Sequence, residues 1–295
     1  MSEISREEWL AKRRSYIGAS EVAAVLGVSP FQGPLDVYLA KVGEGDFKGN
    51  RATRRGQVME PVIADWYAEE TGRTIRNLGE TAIQVHPEIP FLSATLDRVI
   101  VTDEGNAPLE IKSVGGFPAR DEWETDPPVH YQVQVQIQMS ATRSSWGALC
   151  GGFAASDEIV HRDLQFDADF FAAAVPILEE FWARVQRKDP PPAGEMPGAL
   201  NAVKRAFSTV SPDKIIALPA DALSLIDEWE SLKKAGNEAK KKADLIEVRI
   251  REMMKDAEYA ALDDGQFLSL KTSTRKGYVV QDCEFRTLRK IKKLK

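Results

Sequence analysis

Asp97, Glu110 and Lys112 are the residues of this chain whose types and spacing could do chemistry on a phosphate ester. They lie in one stretch, LSATLDRVIVTDEGNAPLEIKS, residues 92–113. Hard divalent cations such as Mg²⁺ take oxygen ligands, commonly one or two carboxylates with several waters retained. A cation held that way polarises a phosphoryl oxygen and acidifies a water, making a nucleophile at neutral pH. An adjacent ammonium can orient that water or stabilise charge developing on the phosphate. Standing alone, the same three residues also describe a cross-strand ion pair on a surface hairpin, since charged residues make up about a quarter of any soluble chain.

The elements that must position them read as two strands. Val99, Ile100 and Val101 precede a turn of Asp103, Glu104, Gly105 and Asn106, and Leu109 and Ile111 follow it. Asp, Gly and Asn between β-branched or apolar runs are hairpin chemistry. Residues two apart on a strand share a face, so Glu110 and Lys112 project together and Asp97 can meet them from the partner strand.

The whole chain narrows the function classes. It has 295 residues, 43% hydrophobic and 28% charged, which leaves room for one large domain or a domain plus an appendage. No apolar run approaches membrane-spanning length, and the start, MSEISREEWL, is too charged for a signal peptide. A soluble, cytoplasmic protein is expected. Cys150 and Cys283 are the only cysteines, which excludes a disulfide framework, a cysteine zinc site and a four-cysteine iron–sulfur cluster. A net charge of −6 argues against coating nucleic acid by bulk attraction but leaves room for a locally basic channel.

Residues 6–15 read as a short helix with basic residues in its last turn. Ser20 with Glu21 reads as the cap of a second helix, EVAAVLG, with Arg13 and Arg14 just ahead of it. Such a serine is an N-cap, and a helix start beside an arginine is also a cradle for phosphate. A third helix follows Pro34. Arg51 and Arg54, in the basic cluster RATRR, lead into the helix GQVMEPVIADWYAEETG, whose start carries Glu60. VHYQVQVQIQMSAT alternates like a strand, yet its Gln134 and Gln138 stand at i, i+4, as on one face of a helix. Strands at 146–153 and 159–166 and a helix at 170–186 come next, then the linker Lys188-Asp189-Pro190-Pro191-Pro192. Residues 219–256 suit one long exposed helix or a helical hairpin turning at Gly236-Asn237. Strands around Asp263-Asp264-Gly265 and Lys276-Gly277 follow, then a basic terminal helix ending RKIKKLK.

Glu60 on a helix, Asp97, Glu110-x-Lys112 and a glutamine-bearing segment, in that order, resemble the PD-(D/E)xK nuclease superfamily. The pieces WLAKRRSYIGASEV, GQVMEPVIADW, ATLDRVI, PLEIKS and YQVQVQIQMSATRSSW are closer to its YqaJ viral recombinase branch, the phage lambda exonuclease family, over residues 9–187. Leu96 stands where the superfamily name has its proline. The resemblance implies an α/β (α+β) fold in which a mixed central sheet is flanked by helices. Residues 1–190 form that nuclease domain, and 191–295 a helical and small-β appendage serving as interface, DNA arm or partner-docking surface. It also turns the segment of Gln134 and Gln138 into a helix.

The roles that the resemblance implies are specific. Asp97, Glu110 and the Ile111 carbonyl would be metal ligands, with Glu60 at a second metal position. Lys112 would orient the attacking water, and Gln134 would stand beside the metal. Arg13 and Ser20 would hold a DNA 5′-phosphate, with Arg51, Arg54 and Gln138 as further DNA contacts. The expected activity is Mg²⁺-dependent exonucleolytic cleavage, with Mn²⁺ able to substitute, of the 5′-ended strand of linear duplex DNA. That leaves 3′ single-stranded overhangs for phage-type recombination. The alternatives are an endonuclease or 3′-directed nuclease on the same core, or a non-catalytic DNA-binding module. The family further implies a ring-shaped homo-oligomer, often a trimer, a single-strand annealing partner, and a phage or prophage origin in a bacterial host.

Overall fold

The computed structural model describes residues 6–44, 51–79, 81–103, 105–115, 123–153, 157–195, 198–209, 214–272 and 288. The expected strand at Lys276-Gly277 and the basic terminal helix lie outside the described residues. The chain divides into two compact units, Met1–Ser208 and Thr209–Lys295.

In the first unit, helices α1 (Arg6–Arg13), α2 (Ala19–Val25), α3 (Pro34–Val42) and α4 (Arg51–Thr71) precede most of the strands. The main sheet has five strands in the order β2 (Ile75–Arg76), β5 (Arg98–Thr102), β6 (Gly105–Val114), β7 (Trp146–Phe153), β8 (Ile159–Gln165). Its β6–β7 pair is parallel and its other pairs are antiparallel, so the sheet is mixed as expected. Between β6 and β7 runs α5 (Val129–Thr142), and after β8 come α6 (Ala168–Arg187) and α7 (Ala199–Ala206). The alternating glutamine segment is therefore helix. With the sheet on one side and α2 on the other, it is walled by apolar neighbours on several faces, so its buried residues do not follow a single stripe.

Three expectations change. The anticipated hairpin from 92 to 113 is shorter. Only β5 and β6 pair, while β4 (Leu92–Thr95) joins a second sheet, parallel to β1 (Ile17–Gly18) and antiparallel to β3 (Ile83–Val85). Asp97 sits at the bend where the chain passes from one sheet to the other, not within a strand. The basic cluster is not a lead-in either, because α4 begins at Arg51 and Arg54 lies in its first turn. Finally, the compact unit continues past 190: Ala202 is fully buried, α7 packs on α3, and Arg205 pairs with Asp36.

Two cores sandwich the main sheet. On one face Ile63, Ala64 and Tyr67 of α4 pack on Ile100, Leu109, Ile111 and Cys150. On the other, Val135 and Met139 of α5 pack with Trp123, Leu149 and Phe153. The α4 contact is close because β7 carries Gly152, where an added Cβ would come 2.4 Å from Ile63 Cγ1. The strand's alternation then settles direction: Leu109 and Ile111 face α4, so Glu110 and Lys112 face α5.

Among the described residues of the second unit there is one helix, α8 (Ala222–Met254), with no break at Gly236-Asn237. An antiparallel pair, β9 (Tyr259–Ala261) and β10 (Phe267–Ser269), follows it across the Asp263-Asp264-Gly265 turn. Among the described residues, no helix is long and apolar enough to cross a membrane.

Candidate active site

At the end of the main sheet, the bend at Asp97 brings its carboxylate onto the next strand. Asp97 Oδ2 accepts from the Ile111 N–H at 2.8 Å. In extended backbone a residue's N–H and C=O point to the same edge, so the Ile111 carbonyl looks toward Asp97. Glu110 is 1% exposed. Its Oε2 accepts from Gln138 Nε2 at 2.5 Å, and its Oε1 accepts from the Lys112 ammonium. That ammonium also stands 5.0 Å from the centre of the Tyr131 ring, which gives it a second favourable contact.

The electrostatics follow from this crowding. Enclosure raises the pKa of Asp97 well above the ordinary aspartate value, and the nearby Glu110 and Glu60 carboxylates raise it further, opposed by Lys112 and the Ile111 N–H. Burial alone would lower the pKa of Lys112, but Glu110 and Asp97 hold it above its usual value. Burial, followed by the charge of Lys112, lowers the pKa of the neighbouring His130. Two carboxylates and a carbonyl, all oxygen donors, with one carboxylate reluctant to ionise unaided, are a donor set that fits a hard divalent cation.

Glu60 reaches the same cavity by a different route. Arg98 pairs in register with Leu109 and so faces α4, where its Nη1 lies 2.7 Å from Glu60 Oε1. The same guanidinium donates to the Asp97 carbonyl at 2.5 Å. Glu60 is therefore neutralised by a protein cation, and it does not join Asp97 and Glu110 in one ligand group. Among the described residues, no group of three or more His, Cys, Asp or Glu side chains is close enough together to hold a metal.

A cavity of about 390 Å³ joins these residues to the start of the chain. Asp97, Glu110, Lys112, Glu60 and Gln134 line it, and so do Arg13 and Ser20. Arg13 Nη2 donates to Ser20 Oγ at 3.2 Å, so the expected pair is together. Ser20 is not the N-cap, however; Gly18 is, and Ser20 falls in the first turn of α2. The cap is made by Glu21, whose Oε2 accepts from the Gly18 N–H at 2.7 Å and from Lys41 Nζ at 2.6 Å. Lys41, 8% exposed, also donates to the Arg13 carbonyl at 2.9 Å, tying α3 to the backbone that carries Arg13. Burial lowers the pKa of Lys41, and Glu21 opposes that shift.

The other expected DNA contacts fare differently. Gln138 is fully buried and cannot meet DNA; it binds Glu110 and, at 3.3 Å, the Thr95 carbonyl. Arg51 and Arg54 are exposed and fall outside the cavity lining, to which α4 contributes Thr53, Gln57 and Glu60. Those three stand at i, i+4 and i+7, one helical face. Sequence reasoning missed Arg98, Tyr131 and the Lys41–Glu21 pair. Arg98 had a usable signal: a charge inside the apolar strand RVIVT, next to Asp97.

Three comparisons with known proteins show what the chain is similar to. Residues 8–145 match the YqaJ-like viral recombinase domain. The chain is 28% identical over 274 residues to a protein of Bacillus subtilis (strain 168) described as "Uncharacterized protein YqaJ", covering 90% of this chain and 83% of that one. Among solved structures it resembles an alkaline exonuclease from Laribacter hongkongensis, with TM-score 0.52 and 22% identity, over 62% of this chain and 94% of that one. That exonuclease in complex with dAMP aligns at TM-score 0.53 and 21% identity, over 68% of this chain and 98% of the other. The likeness to these two structures is one of fold.

Proposed function

Because residues 8–145 match the YqaJ-like viral recombinase domain, we propose that this chain is a magnesium-dependent exonuclease acting 5′-to-3′ on linear duplex DNA. The observation that carries the reading is a single cavity: the Asp97–Glu110–Lys112 cluster and the Arg13–Ser20 pair line it together. Asp97, Glu110 and the Ile111 carbonyl would hold Mg²⁺, with Mn²⁺ able to replace it. Such an ion supplies Lewis-acid chemistry, polarising the scissile phosphate and lowering the pKa of a water.

The chain's own groups do the rest. Arg13 and Ser20 bind the terminal 5′-phosphate, which fixes which strand enters and in which direction. Lys112, whose ammonium meets Glu110 Oε1, orients the attacking water. Gln138 and Lys112 hold the Glu110 carboxylate at both oxygens. Gln134 lines the wall beside them. Water adds to phosphorus, the P–O3′ bond breaks, and the released nucleotide takes the proton on its 3′-oxygen. The shortened strand ends in a new 5′-phosphate ready for the same pair. Repetition leaves a 3′ overhang, the substrate of a single-strand annealing partner; a ring-shaped homo-oligomer around the duplex belongs to the same reading.

The test is digestion of end-labelled linear duplex with and without Mg²⁺ and with and without a 5′-phosphate, beside a covalently closed circle. The expected result is Mg²⁺-dependent loss of the 5′-ended strand, absent in Asp97→Ala and Lys112→Ala. Arg13→Ala should lose the preference for phosphorylated ends. Cutting of the circle would make this an endonuclease. Wild-type cleavage by the Asp97 or Lys112 variant would remove the assigned site.

A further inference from the structure

The helix α8 of the second unit lies outside residues 8–145, which match the family model, and nothing above uses it. Its 33 residues extend about 50 Å at ~1.5 Å per residue. Counting Ala222 as an a position of a heptad, the a row is Ala222, Trp229, Gly236, Ala243 and Ile250. The d row is Leu225, Leu232, Ala239, Ile246 and Met253. No polar side chain interrupts either row across the whole helix. The d row is also open: Leu225 is 59%, Leu232 65%, Ile246 57% and Met253 75% exposed among the described residues. Leu223, Leu245 and Val248 are exposed outside the stripe. An unbroken 3–4 spacing of this length is a coiled-coil seam.

The flanking charges identify the occupant and its direction. In a parallel, in-register pair each g residue meets the e residue five positions on in the other helix. Here Glu228 meets Lys233 and Lys242 meets Glu247, both opposite in sign and each occurring twice, with no like-charge pair. Turned antiparallel, the same helix would set Lys233 against Lys240 twice, offsetting the Glu228–Arg249 attraction. In the middle, Gly236, Ala239 and Ala243 let two backbones approach closely, whereas a third strand would leave a void there. We propose that α8 pairs in parallel and in register with α8 of a second copy of this chain. This interface is independent of the nuclease reading and separate from any ring built by the first unit.

The test uses the full chain carrying Cys283→Ser, since Cys150 is buried. Leu232→Cys places like thiols opposite each other across the seam, and Ser231→Cys, on the outer side, is the control. Under mild oxidation Leu232→Cys should give at least ten-fold more disulfide-linked dimer than Ser231→Cys. Adding Lys233→Glu and Lys242→Glu, which turns all the flanking pairs repulsive, should cut that yield at least five-fold. Equal linkage at 231 and 232 overturns the proposal, as does a yield indifferent to the charge reversal. Preferential linkage of Leu232→Cys to Ala243→Cys in a mixture would show an antiparallel pair and overturn it as well.

Discussion

Replacing Gln138 with leucine separates a buried support from a DNA contact. Gln138 is fully buried, and its amide donates to Glu110 Oε2 at 2.5 Å. Leucine has similar bulk and cannot donate, so Glu110 loses one of the two groups that set its carboxylate. A hydrogen bond to a charged group is worth about 1.5–3 kcal/mol, which is roughly a ten- to 150-fold change in rate if that orientation is needed in the transition state. Leucine keeps the volume but leaves Glu110 Oε2 and the Thr95 carbonyl without this donor, a loss of about 1–3 kcal/mol of stability; a thermal melt measures it and sets an assay temperature at which the variant is folded. The assay is kcat on saturating linear duplex, together with DNA affinity over a salt series. The expected result is a fall in kcat with DNA affinity unchanged across the salt series. A surface contact of this amide to phosphate would instead weaken binding at every salt concentration, with the slope unchanged because a glutamine neutralises no phosphate. An intact kcat with weakened DNA binding would refute the buried role.

Two more outcomes follow from the same geometry. Gly152→Ala puts a methyl 2.4 Å from Ile63 Cγ1, an overpacking that costs about 1–3 kcal/mol and should appear as a lower denaturant midpoint with unchanged m; a wild-type midpoint would contradict the close α4–β7 contact. Asp97→Asn should change how metal-free stability depends on pH. The raised pKa of Asp97 means its contribution is fully present below the ordinary aspartate value of about 4 and is lost as pH rises through the raised one, at about 1.4 kcal/mol per unit. The variant should lack that decline, be more stable than wild type at pH 8 without metal, and gain nothing from Mg²⁺. Parallel urea midpoints for the two proteins between pH 4 and 8 would count against the enclosure of Asp97.

Much of this site is local and was readable without coordinates. The period-two spacing of Glu110 and Lys112 sends them to one face of β6 in any register, and the expected pairing of the strands on either side is seen in the register from Thr102–Gly105 to Arg98–Leu109. The order of Glu60, Asp97, Glu110-x-Lys112 and Gln134 carried the resemblance, and the structure brings these residues to one cavity from α4, the bend before β5, β6 and α5. The choice between strand and helix for 129–142 was not local. Its alternation satisfies a strand, and only packing between α2 and the sheet makes a helix with several buried faces the better state.

What tertiary structure decided was which polar groups face each other across long sequence separations. Gln134 and Gln138 sit one helical turn apart and look equivalent in sequence, yet one lines the cavity and the other is sealed behind Glu110. Glu60 reads as another carboxylate for a metal until Arg98, turned toward α4 by strand alternation, neutralises it. Ser20 reads as a cap until Glu21 and the distant Lys41 move the helix start to Gly18. The composition of the chain and its local periodicities set each side chain's direction. The partner that a buried charge finds depends on how separate elements dock, because an unpaired charge in the interior costs more than any local preference can supply.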